Sequence, residues 1–106
     1  RVNVGVKYRA FVENHKNIDC FLNANVTDIR LDDGLRSVTH FEVTGYDDRK
    51  FLVRARQFVV AAGGIENPRI LLNANRQIPS GIGNENDLVG RFFAEHPHHQ
   101  LGEFIL

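Results

Sequence analysis

The sequence predicts an α/β protein, α+β when taken by itself as a fragment: an antiparallel β-meander that leads into a covered, parallel-type strand and a helix. Three observations predict it. Phe51, Val53 and Ala55 fall at every second position, the period of a half-exposed ladder. The same stretch then turns into an unbroken apolar run, Phe58-Val59-Val60-Ala61-Ala62, the pattern of a strand covered on both faces. Gly63-Gly64 ends that run, and helix signals follow at once.

The elements follow in order. Tyr8, Phe11 and Val12 fall at i, i+3 and i+4, so a short helix is expected from Lys7 to about Asn14. Asp19 to Leu31 reads as a strand whose phase changes midway. Cys20, Leu22, Ala24 and Val26 share one parity, whereas Ile29 and Leu31 hold the other. Such a switch implies a bulge or the end of regular pairing near Val26–Asp28, or burial on both faces there. Asp32-Asp33-Gly34 is a tight turn, with Gly34 free to take positive φ. Ser37–Thr44 is the second strand, and Asp47-Asp48-Arg49 a polar turn before the third. After the glycines, Asn67 is expected as N-cap and Pro68 at the first helical position. Ile70, Leu71 and Ala74 form the buried side of that helix. Residues 78–90, rich in Pro, Gly, Asn and Asp, read as a loop, with Leu88 to Phe93 as its apolar anchor. Leu101–Leu106 looks like a further strand. A single parallel-type strand cannot make a sheet alone, so these 106 residues are expected to work with the remainder of the same polypeptide or a partner chain.

Composition excludes several classes. Thirteen basic residues balance thirteen acidic ones, which removes the electrostatic case for nucleic acid or an anionic membrane. No apolar run approaches the roughly 18 residues of a membrane span. There is no Met and no signal-like opening, so the start of the protein is expected to lie elsewhere or to have been removed. The lone Cys20 can make no internal disulfide and reads as a small buried strand residue.

Two motifs carry chemical interest. At the junction Gly63-Gly64-Ile65-Glu66-Asn67-Pro68, glycines permit close backbone approach and a helix N-terminus offers free N–H groups to phosphate or ribose oxygens. Tight glycine turns of this kind also serve packing alone, and a complete G-x-G-x-x-G is missing. His96, His98 and His99 beside Glu95 could in principle ligate a metal. Pro97 stiffens that run and an extended backbone sends His98 and His99 to opposite faces, so no metal site is expected. No Ser/His/Asp or Cys/His set declares itself, and no residue is assigned a catalytic role.

The stretch Val59-Val60-Ala61-Ala62-Gly63-Gly64-Ile65-Glu66-Asn67-Pro68-Arg69-Ile70-Leu71-Leu72 resembles the glucose–methanol–choline (GMC) family of FAD-dependent oxidoreductases. Leu22-Asn23-Ala24-Asn25-Val26-Thr27 upstream is similar to another family strand. Gly83-Asn84, Asp87 to Arg91 and Glu95-His96-Pro97 resemble the downstream passage. The resemblance implies a Rossmann-like FAD-binding sheet over residues 1–90 and the start of a substrate-binding domain over 91–106. It implies FAD as cofactor in the full-length protein, with Val26 near the adenine end, Ala62, Gly63 and Gly64 at the strand-end turn, and Asp87 and Gly90 in a nearby loop. The implied reaction oxidises a CH–OH group of a sugar, polyol or alcohol by proton removal and hydride transfer to flavin. The family's dinucleotide loop and its C-terminal catalytic pair have no counterpart here. Ile65 and Asn67 depart from the usual signature, in the direction of a sugar- or polyol-dehydrogenase branch. A two-domain flavoprotein of disulfide-reductase type and a non-enzymatic interaction module remain as alternatives.

Overall fold

The computed structural model describes residues 3–94. In order, its elements are α1 (Val4–Asn14), β1 (Ala24–Leu31), β2 (Val38–Gly45), β3 (Lys50–Val53) and α2 (Glu66–Asn73). The strands form one antiparallel sheet, β1-β2-β3. Among the described residues the architecture is α+β.

Helix α1 begins at Val4 rather than Lys7 because Asn3 caps it: its side-chain oxygen accepts the Val6 N–H at 3.1 Å. The apolar stripe is present, yet no α1 residue is buried, and Phe11 is 58% exposed. Strand β1 begins at Ala24, not Asp19. Asn23 sits at φ +55°, a left-handed conformation that interrupts a strand. Cys20 is therefore exposed rather than buried.

The phase change in β1 is a bulge. Val26 pairs with Val43 and Asp28 with Glu42, leaving Thr27 as the extra residue. A second shift between Arg30 and Leu31 leaves Thr39 extra on β2. Each extra threonine donates its hydroxyl to the opposite strand: Thr27 to the Glu42 carbonyl at 3.2 Å and Thr39 to the Arg30 carbonyl at 3.0 Å. The first shift brings Ile29 beside Phe41, and these residues form the core with Val43 and Ala74. In the turn that follows, positive φ falls on Leu35, not Gly34. The Asp32 carboxylate holds that turn by accepting the N–H groups of Arg36 and Ser37.

The third strand requires a correction. It ends at Val53, and residues 54–65 belong to no strand. A parallel strand needs parallel neighbours, and none of the described residues supplies one, so the Rossmann-like sheet is not seen. The apolar run nonetheless keeps a two-residue alternation. Phe58 and Val60 pack on the core, Phe58 with its ring 4.6 Å from that of Phe41, while Val59 is 81% exposed.

Helix α2 starts two positions early for the expected cap. Ile65 is the N-cap residue and Asn67 and Pro68 lie inside the first turn, where an absent N–H is tolerated. Asn67 instead reaches backwards and accepts the Ala62 N–H at 2.7 Å. Ile70, Leu71 and buried Ala74 face the core as expected. The loop that follows is organised by buried Asn84, which accepts the Val89 N–H and donates to the Ser80 carbonyl, both at 2.9 Å. The Ile82 N–H donates to the Leu71 carbonyl at 3.0 Å and fastens the loop to α2. Glu95 to Leu106, including the histidine run, the expected last strand and most of the 91–106 segment, lie outside the described residues.

Candidate functional site

The candidate site is built around the turn into α2. Gly63 takes φ +99°, and a Cβ there would meet nothing within 4 Å, so its backbone faces open space. Gly64 is not in the left-handed region; a Cβ on it would touch the Phe93 ring at 3.4 Å. The conformational demand of the turn thus falls on Gly63. None of the described residues accepts the N–H groups of Gly64, Ile65 or Glu66. They form the donor end of α2.

Two concavities flank this turn. An apolar cleft lies between Val26, Phe41, residues 59–62 and Ile70. A shallower hollow lies between Gly64, Asn67, Pro68, Leu71 and the loop residues Val89, Gly90, Arg91 and Phe93. Gly90, at φ +81°, runs close to Pro68: a Cβ there would stand 3.4 Å from the proline Cβ. The structure thus brings Val26 to Ala62, and Gly64 to Gly90, on either side of the first turn of α2. Asp87 joins neither. It is exposed at φ +55° and ion-paired with Arg91, whose Nε also donates to the Asp87 carbonyl at 2.6 Å.

A third, more polar cleft of about 310 Å³ opens between β1 and α2, lined by Asn25, Val26, Thr27, Arg69, Ile70 and Asn73. Here the Arg69 guanidinium hydrogen-bonds the Glu66 carboxylate, which holds that carboxyl below its ordinary pKa and raises that of the arginine. Both groups are exposed, and the pair leaves the helix start nearly neutral.

Sequence reasoning passed over four residues that shape this region. Asp28, at the bulge, is buried and meets Arg30 and Arg76. Gln77 pairs its side-chain amide with both backbone groups of Leu31. Asn84 organises the loop. Asp28 carried a legible signal, a carboxylate at the point where an apolar strand changes phase; Arg76 and Gln77 carried none, since their partners are distant in sequence, and Asn84 bonds only within an aperiodic loop. Among the described residues, no group of three His, Cys, Asp or Glu side chains is placed to hold a metal, and no helix is long and apolar enough to cross a membrane.

The chain matches no protein-family profile. Sixty-six residues, 61% of the chain, are 42% identical to the fructose dehydrogenase large subunit of Gluconobacter japonicus. The match spans 12% of that subunit, about an eighth of the relative's length.

Proposed function

We propose that this chain is part of a GMC-type, FAD-dependent oxidoreductase that acts on a CH–OH group of a sugar, polyol or alcohol, and that its share of the work is to hold the cofactor. The observation that carries the reading is the 42% identity to a dehydrogenase large subunit. In this reading residues 1–90 belong to the FAD-binding domain and 91–106 begin the substrate-binding domain. Residues 58–62 form one strand of a Rossmann-like parallel sheet whose other strands come from the rest of the polypeptide or from a partner chain.

The residues present fit FAD. Gly63 offers bare backbone in a left-handed conformation with open space before it, beside three unclaimed N–H groups at the start of α2. Donors so arranged suit phosphate or ribose oxygens. The cleft between Val26 and Ala62 is apolar and suits the face of a flat heteroaromatic ring. Val26, Ala62, Gly63 and Gly64 would hold the cofactor, with Asp87 and Gly90 in the loop alongside. When bound, FAD supplies the two-electron oxidation of the CH–OH carbon. This chain's own residues bind and orient it and keep water from the Val26–Ala62 cleft. They include no proposed acid, base or nucleophile, and the group that takes the hydroxyl proton lies elsewhere in the whole protein.

The test is the visible spectrum of the full-length protein carrying this segment, with chromatography of the released cofactor. FAD is expected, with its oxidised band bleached anaerobically by fructose or a related polyol and not by NAD(P)H. A colourless protein would remove the cofactor reading. Bleaching by NAD(P)H alone would favour a flavoprotein of disulfide-reductase type.

A further inference from the structure

The geometry points to Asp28 and Arg76 as positioning residues that fix the β1 bulge against α2 and so set the clefts in which the cofactor is proposed to sit. The inference rests on the cofactor reading above. Val26 closes one side of both clefts between β1 and α2, and Ile70 the other. Their separation depends on how α2 is docked along β1, and the bulge at Thr27 lies immediately beside Val26.

The segment after α2 grips β1 at two places. The Asp28 side chain is only 2% exposed. One of its oxygens accepts the neighbouring Ile29 N–H at 2.9 Å, which holds the backbone just past the bulge. The other lies 3.2 Å from Arg76 Nε and 3.4 Å from Arg30 Nη1. Arg76 also reaches Glu42 at 3.2 Å, and Arg30 stands 3.8 Å from the same carboxylate. Two carboxylates and two guanidiniums thus balance in one cluster. A buried carboxylate without such partners is strongly destabilising, so the pairing enforces one placement of Arg76 over the bulge. The next residue, Gln77, accepts the Leu31 N–H at 2.9 Å and donates to the Leu31 carbonyl at 3.1 Å. With Asp28 and Leu31 both held, α2 cannot slide along β1 without taking from buried Asp28 the nearer of its two guanidiniums and leaving two backbone groups of Leu31 unpaired. The cluster is therefore the local device that keeps Ile70 at its distance from Val26.

A purely structural cluster would govern stability alone; a positioning cluster also governs cofactor affinity in the folded protein. The experiment uses the full-length protein as apoprotein, titrated with FAD by flavin fluorescence below the Tm of each variant, with Tm measured alongside. Asp28→Asn and Arg76→Gln are each expected to weaken FAD binding by about tenfold or more, a loss of about 1.4 kcal/mol. The double variant should be no weaker than the worse single, because both changes break one unit. Arg76→Lys, a milder change that keeps the charge, should recover part of the affinity, and Cys20→Ser should have no effect. Should the first two variants fail to fold, Arg76→Lys alone decides: binding several-fold weaker than wild type supports the inference, wild-type Kd overturns it. Variants that fold with lowered Tm and unchanged Kd overturn it while leaving the cofactor reading standing. A wild-type protein without affinity for FAD sinks both.

Discussion

Gly81 and Gly63 both hold positive φ, yet for different reasons. At Gly81, φ +90°, a Cβ would lie 2.8 Å from the Leu72 Cα and 2.9 Å from the Leu71 carbonyl oxygen, so the loop backbone lies directly on the end of α2. At Gly63 the space is open. Gly81→Ala is expected to destabilise the protein by about 2–4 kcal/mol, the sum of left-handed strain and overpacking against immovable backbone. Gly63→Ala should cost only about 1–2 kcal/mol of strain. Urea midpoints of the two variants check this, and equal midpoints would contradict it. The turn glycines at 63 and 64 were legible because glycine between a strand-like run and a helix has few meanings. Which of the two takes positive φ was not legible, since that depends on how Asn67 ties back to Ala62. A second residue-scale expectation concerns Asp32. Hydrogen bonds from the backbone N–H groups of Arg36 and then Ser37 hold its carboxyl below the usual 3.8. A depressed folded-state value contributes stability above the unfolded value and loses it as pH falls through the folded one. The wild type should therefore lose stability more steeply than Asp32→Asn below about pH 4. Denaturant midpoints taken from about neutral pH down to about pH 2 test it; parallel curves would count against it.

At the scale of elements, what was legible followed from local patterns and what was not followed from distant partners. The parity change between Val26 and Ile29 marked the bulge because side chains in a regularly paired strand alternate faces. The second bulge, at Thr39, carries the same mark, a parity change between Val38 and Phe41, both of which face the core. The apolar stripe puts the start of α1 at Lys7, whereas the cap at Asn3 adds a further turn, and β1 starts late because Asn23 takes a left-handed conformation that its neighbours do not announce. Strand β1 is an edge strand, and its outer edge is closed near Leu31 by a side chain rather than a strand. Gln77→Leu keeps most of the volume and removes both hydrogen bonds, leaving part-buried backbone groups of Leu31 unpaired. A loss of about 1–3 kcal/mol is expected, with faster hydrogen exchange at the Leu31 amide than in wild type. Unchanged exchange at Leu31 would show that water replaces the glutamine without loss.

At the scale of the whole molecule, the radius of gyration is 18.3 Å, against about 13 Å for a compact chain of 100 residues. Much apolar surface is open accordingly: Phe11 and Val6 on α1, Val59 in the run after β3, and Phe92 and Phe93 past the loop are all exposed. The run from Phe58 to Ala61 concentrates the question. Its side chains alternate between core and solvent, as a strand's do, while its backbone makes no hydrogen bond to any other described residue. Exposed, unpaired backbone flanked by apolar side chains is the condition of a strand awaiting neighbours, because pairing would satisfy every N–H and C=O and the layer over a parallel sheet would cover Val59. The proposed parallel sheet would do both. Hydrogen exchange distinguishes the alternatives without reference to activity. In the isolated 106-residue chain the amides of Val59, Val60 and Ala61 should exchange almost as fast as unstructured peptide, while those of Phe41 and Val43 in β2 are protected. In the full-length protein the first group should become as slow as the second, since strands paired on both sides open only with the surrounding unit. Protection that stays low in the full-length protein would mean that residues 58–61 pack through their side chains alone, and the parallel-sheet assignment would then fall.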